Sequence, residues 1–194
     1  MPWPSDPDPY VVDAIDGKPW LTENGVAIEE VEYWYKPDFA DKLTRSGRPM
    51  VEIAGLIRPQ RLDFNPYAAC HFWDNGKGCR YCNVGAVYNQ ANKKAGGTLK
   101  PRIDPRDISE TVREAIRQPG RYANIYITGG SIPGPDNRFE AELEGYIELL
   151  QAIGENFSTR RFPSQLTSSS FDEAQLARLF NETGLLTYTT DIEV

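Results

Sequence analysis

From Arg61 onward the chain alternates strand-like and helix-like segments, and no other feature constrains its fold as strongly. "RLDFNP" (Arg61–Pro66) is a candidate strand. A helix is expected over Asp104–Gln118, with Asp104 as N-cap, Pro105 at the first helical position and Ile108, Val112, Ala115 and Ile116 on one face. Pro119 and Gly120 stop it. "ANIYITGG" (Ala123–Gly130) reads as a buried strand ending in a glycine pair. The next helix is expected from about Phe139 to Ile153, with Phe139, Leu143, Tyr146, Ile147 and Leu150 as its stripe and Gly154 beyond. "RFPSQLTS" (Arg161–Ser168) is a strand weakened by Pro163. Ser170 and Glu173 suggest a capping box for a third helix, with Leu176, Leu179 and Phe180 inward and Gly184 at its end. "LLTYTTDIEV" (Leu185–Val194) is the last strand. Strands alternating with helices in this way are expected to run parallel, joined by helical crossovers, in an α/β fold. Function in such folds belongs at the carboxyl ends of the strands.

Residues 1–60 differ. They are rich in Pro, Gly and aromatics, and they read as an irregular, partly β extension that caps the domain over residues 61–194. "VAIEEVEYWY" (Val26–Tyr35) and "MVEIAGLI" (Met50–Ile57) are its candidate strands, and "RSGRP" (Arg45–Pro49) is a turn. Trp3, Trp20 and Trp34 are expected to pack in this cap. The first residues are acidic and Pro-rich, without the basic and then apolar order of a signal peptide. No apolar run approaches the roughly 20 residues that span a bilayer. The net charge of −7 argues against a protein built to wrap nucleic acid. Three cysteines form no even disulfide framework, which fits a reducing, cytoplasmic setting.

All three cysteines and the single histidine fall within "CHFWDNGKGCRYC", from Cys70 to Cys82. This stretch follows the first strand of the alternating region. Thiolates suit zinc, copper(I) and iron–sulfur clusters. Cys79 and Cys82 form a chelating pair on a short loop, and "DNGKG" (Asp74–Gly78) supplies the turn that lets Cys70 close on it. A structural zinc would take four ligands, and His71 could complete a Cys₃His set. Adjacent residues such as Cys70 and His71 rarely both point at one ion, so His71 also reads as a loop residue or a polar group on the substrate side. A cubane cluster on three cysteines would leave one iron open to another ligand. Ser164, Gln165 and Thr167 are polar residues in a core strand, and alternation does not say which faces a ligand. "NQANKKAGGTLKPR" (Asn89–Arg102) reads as a solvated loop.

The cysteine stretch resembles the radical S-adenosylmethionine superfamily. Its usual pattern is C-x₃-C-x-Φ-C, with Φ aromatic. Here Tyr81 stands at Φ before Cys82, and the first gap is eight residues instead of three. "TGG" (Thr128–Gly130) is similar to the glycine-rich motif that binds the methionine amino group in that family, with Ser131 where Glu often follows. "TTDIEV" (Thr189–Val194) is similar to the "NHNLET"-like strand of the lipoyl and biotin synthase group, and "CRYCNVG" (Cys79–Gly85) to its "CPFCDVA" run. The resemblance covers Leu62–Val194. It implies a partial (β/α) TIM-like barrel of about four βα units. It further implies a 4Fe-4S cluster on Cys70, Cys79 and Cys82, and S-adenosylmethionine held by Tyr81, Thr128, Gly129, Gly130, Ser131 and Glu193. The implied activity is reductive cleavage of S-adenosylmethionine to a 5′-deoxyadenosyl radical that takes hydrogen from a small-molecule or peptide substrate. An electron donor such as ferredoxin or flavodoxin is implied as partner. No second cysteine set supports sulfur insertion, and the chain is expected to be a barrel truncated after its fourth strand. The rival readings are a zinc-stabilised α/β binding module without catalysis, and a flavin- or phosphate-using α/β barrel enzyme whose cysteines are incidental.

Overall fold

A computed structural model describes residues 10–32, 35–58, 60–98, 100–136 and 138–191. The chain divides into two compact units, Met1–Lys36 and Pro37–Val194.

The first unit is an antiparallel meander of β1 (Tyr10–Ile15), β2 (Lys18–Glu23) and β3 (Val26–Glu30). Its two hairpin turns are Asp16-Gly17 and Asn24-Gly25, and all four residues have positive φ. That is the backbone a two-residue hairpin needs to match strand twist, and Asx-Gly adopts it at low cost. The sequence reading expected only the third of these strands, and it ran that strand on to Tyr35. β3 stops at Glu30. Trp20 lies half-buried in β2, opposite Asp13; Trp3 and Trp34 lie outside the described residues.

The second unit holds a five-stranded sheet in the order β4-β5-β6-β7-β8. Four of these strands are parallel: β5 (Arg61–Phe64), β6 (Asn124–Thr128), β7 (Ser164–Thr167) and β8 (Thr187–Thr189). β4 (Ala54–Arg58) joins the edge antiparallel to β5. Met50–Ile57 was expected to be one strand. Its first residues instead form a one-turn helix, α1 (Met50–Ile53), which buries Met50 and Ile53 before β4 begins. Phe39, Met50, Ile53 and Ala54 thereby enter the same core as Leu62 and Phe64.

Three crossover helices cover one face of this sheet. α4 (Pro105–Ala115) starts as its sequence dictates: Asp104 accepts from the Arg106 amide, and Pro105 has no amide hydrogen that would need an acceptor. α5 (Glu140–Gly154) buries Leu143, Tyr146, Ile147 and Leu150. α6 (Glu173–Glu182) does have a capping box, but two residues later than the expected Ser170–Glu173 pair. Asp172 accepts from the Gln175 amide at 2.9 Å, and Gln175 Oε1 accepts from the Asp172 amide at 3.1 Å. Phe180, expected inward, is instead 61% exposed, with the Arg161 guanidinium over its ring. Strand alternation is clear. Leu62, Phe64, Ile125, Ile127 and Leu166 point into the core, while Tyr126, Thr128, Gln165 and Thr167 lie half-buried between them in sequence.

Two further helices lie between β5 and α4: α2 (His71–Asp74) and α3 (Val84–Lys94). α3 was not foreseen, because part of it fell in the stretch read as solvated loop. Val84, Val87, Tyr88 and Ala91 recur at helical spacing along it, but none of its residues is buried. Among the described residues, no helix is long and apolar enough to cross a membrane.

Candidate functional site

The parallel strands β5, β6 and β7 deliver three chain segments to one rim of the sheet. β5 delivers the cysteine excursion. Its two ends are tied together: Ala68 N donates to Pro101 O at 2.8 Å and Ile103 N to Pro66 O at 3.0 Å. The excursion therefore leaves and returns at a closed base beside the carboxyl end of β5.

β6 delivers Thr128, Gly129 and Gly130. The Gly130 amide donates to Tyr67 O at 2.8 Å, and the His71 amide donates to Ser131 O at 3.0 Å. The path of the cysteine segment is thus fixed by the residues after β6. A Cβ on Gly130 would lie 2.0 Å from Ala69 O and 2.7 Å from Cys70 Cβ. Glycine stands there because the entry to the cysteine loop passes directly over it. A Cβ on Gly129 would meet Tyr146 Oη at 3.0 Å and Tyr67 Cβ at 3.1 Å. The sequence reading explained the glycine pair by a ligand's approach; the geometry adds that Gly130 accommodates the cysteine segment itself.

Within the excursion, Trp73 packs on two glycines. A Cβ on Gly78 would lie 2.8 Å from its ring, and one on Gly85 3.3 Å away. The Cys82 amide donates to Cys79 O at 3.1 Å, closing the turn of the C-x₂-C pair. No disulfide joins the three cysteines, and each is half-buried. Tyr81 is 74% exposed. The His71 ring nitrogens lie 3.2 and 3.3 Å from Asn75 Nδ2. Among the described residues, no three His, Cys, Asp or Glu side chains converge on a point where one metal ion could sit. As a donor set, three undisulfided, half-buried cysteines on one glycine-bearing loop still fit an iron–sulfur cluster, which spreads its thiolates over a body larger than one ion.

β7 delivers Ser168 and Ser169. On β7 itself, alternation resolves what the sequence left open. Ser164 is buried with Leu166, whereas Gln165 and Thr167 share the opposite face. Thr167 Oγ1 lies 2.6 Å from Thr189 Oγ1, and Gln165 Nε2 donates to Thr189 Oγ1 at 3.4 Å. Glu193 lies outside the described residues.

Sequence reasoning missed Glu142. It sits on the buried stripe of α5, three residues after Phe139 and four before Tyr146, and it is fully buried. The Ile132 amide donates to its Oε2 at 2.7 Å, and the Ser169 amide to its Oε1 at 3.2 Å. It therefore ties the loop after β6 to the loop after β7. A carboxylate within an apolar helical stripe was the available signal.

Two clefts of about 540 and 400 Å³ lie along α4, the first beside Lys42–Arg45 and the second beside Glu148–Glu155. No residue of the cysteine excursion or of the strand ends lines either. The chain matches no family model, and no curated protein and no solved structure is significantly similar to it.

Proposed function

We propose that the chain is a radical S-adenosylmethionine enzyme, with the five-stranded sheet as part of a (β/α) TIM-like barrel. Cys70, Cys79 and Cys82 would hold a 4Fe-4S cluster. Thr128, Gly129, Gly130 and Ser131 would line the site for S-adenosylmethionine beside it, with Tyr81 and Glu193 as further contacts. One observation carries this reading. The cysteine segment and the glycine pair, separate in sequence, are joined at one rim by the His71–Ser131 and Gly130–Tyr67 backbone hydrogen bonds. With a cluster and S-adenosylmethionine bound, the site would supply one-electron reductive cleavage of a carbon–sulfur bond and hydrogen abstraction from a substrate. The chain's own residues bind and orient. The half-buried cysteines offer thiolates, and exposed Tyr81 stands free to cover a bound adenine. The electron would come from a donor such as ferredoxin or flavodoxin.

Anaerobic reconstitution with iron and sulfide tests the proposal. The expected product is brown, and S-adenosylmethionine changes the electron paramagnetic resonance spectrum of its reduced form. Cys70→Ala, Cys79→Ala and Cys82→Ala should each abolish the cluster absorbance. A colourless protein with stoichiometric zinc would establish the binding-module reading instead. Full cluster in all three variants would also overturn the proposal.

A further inference from the structure

The larger of the two clefts along α4, about 540 Å³, is unbalanced in charge. Four cations line it, Lys42, Arg45, Arg113 and Arg117, against two carboxylates, Glu110 and Glu114. The chain as a whole carries −7, so an excess of positive charge on one wall runs against its composition. The smaller cleft is balanced: Arg45, Arg106 and Arg113 are matched by Glu110, Glu148 and Glu155.

The hydrogen bonds show which cations are spent. Glu114 Oε2 accepts from Lys42 Nζ at 2.7 Å, and its Oε1 accepts from Arg117 Nη1 at 2.5 Å. Lys42 above all holds the Glu114 carboxyl below the ordinary glutamate range, so it stays ionised. Glu110 Oε2 accepts from the Arg45 amide at 2.8 Å, and its Oε1 lies 3.2 Å from Arg45 Nε. Every carboxylate oxygen of the cleft is therefore engaged, and none by Arg113. Arg113 is half-buried, and its Nε donates to Asn156 Oδ1 at 3.0 Å. Asn156 is itself fixed, because its Nδ2 donates to Ser109 Oγ at 2.9 Å and to Ile153 O at 3.1 Å. The guanidinium is thus held in place by a neutral amide. Among the described residues, no carboxylate pairs with Arg113 and no acceptor takes its two terminal nitrogens. A guanidinium drawn partly out of water without a counter-charge is costly, and its remaining hydrogens stay available to an anion.

We infer that this cleft binds a small phosphate-bearing ligand, with Arg113 as its principal contact and Arg117 and Lys42 beside it. A phosphate monoester carries about −1.5 to −2 near neutral pH, which matches the excess, whereas one carboxylate leaves about half of it unmet. Guanidinium meets phosphate oxygens through paired hydrogen bonds. Leu43 and buried Met50 give the rest of the ligand an apolar wall, and the volume suits a small molecule. No residue of the cysteine excursion lines the cleft, so this site is separate from the one proposed above and needs no cluster.

Titration calorimetry of the full chain with phenyl phosphate, at fixed ionic strength and with benzoate as the carboxylate comparison, tests the inference. The wild type should bind one phenyl phosphate per chain, about tenfold tighter than benzoate or more. Arg113→Met keeps the apolar stem and removes the charge, and it should weaken phenyl phosphate about tenfold or more. Arg117→Gln should weaken it about threefold, and it serves if Arg113→Met fails to fold. Glu114→Gln removes a negative charge and releases Lys42 and Arg117, so it should tighten binding about threefold; a merely structural role for this network would loosen it. Arg138→Gln, whose side chain pairs with Asp136 and does not line the cleft, should change nothing. The inference is overturned by a wild type without saturable binding, by benzoate binding as tightly as phenyl phosphate, or by undiminished affinity in folded Arg113→Met. A poly-glutamate peptide that binds through Arg113 and resists displacement by phenyl phosphate would assign the cleft to an acidic protein and overturn it too.

Discussion

The sheet with its crossover helices and the cysteine excursion belong to one compact unit but are built in opposite ways. α4 buries seven of its residues and α5 eight. α2 and α3 bury none. The layered part is held by apolar area, with Leu62, Ile127, Leu143, Leu150 and Leu166 all nearly inaccessible. The excursion is held at its base by backbone hydrogen bonds and by the Trp73–glycine contacts. The difference teaches a division of labour: a packed scaffold fixes where the rim is, and a weakly packed segment carries the three cysteines.

Four substitutions break or sharpen that contrast. Leu150→Ala removes a side chain that is 0% exposed in the core, and it should cost about 2–5 kcal/mol in urea denaturation. A cost under about 1 kcal/mol would mean that the layer is far looser than its burial implies. Gly130→Val strikes the junction, where Ala69 O and Cys70 Cβ occupy the space of any side chain. It should cost about 1–3 kcal/mol, and cluster loading should fall with it because Cys70 must move. Normal loading in this variant would show that the two parts are uncoupled. Asp172→Ala removes the N-cap of α6 and should lower stability by about 1 kcal/mol, read as a drop in Tm. Val87→Ser in α3, where Val87 is 56% exposed, should change stability by less than about 0.5 kcal/mol. A loss above about 1 kcal/mol would place Val87 in a packed interface and erase the contrast.

The sequence by itself determined what depends on local chemistry. The strand at Asn124–Thr128, the Asp104 cap and Pro105 start of α4, and the stripe of α5 were all legible, because propensity, capping and periodicity act over a few residues. The meander turns Asp16-Gly17 and Asn24-Gly25 were legible in the same way, although only β3 was foreseen. The cysteine cluster was visible as composition alone. Tertiary structure decided the rest. Met50–Ile53 turns helical and Ala54–Arg58 joins the sheet antiparallel, because Phe39, Met50 and Ile53 find a core supplied by distant residues. Gly130 is required by a segment some sixty residues earlier that passes over it. Glu142, an odd residue in an apolar stripe by sequence, gains its meaning from Ile132 and Ser169, which reach it from the ends of two neighbouring strands. Such contacts are set by parallel register and crossover packing, and neither is written in any short window of the chain.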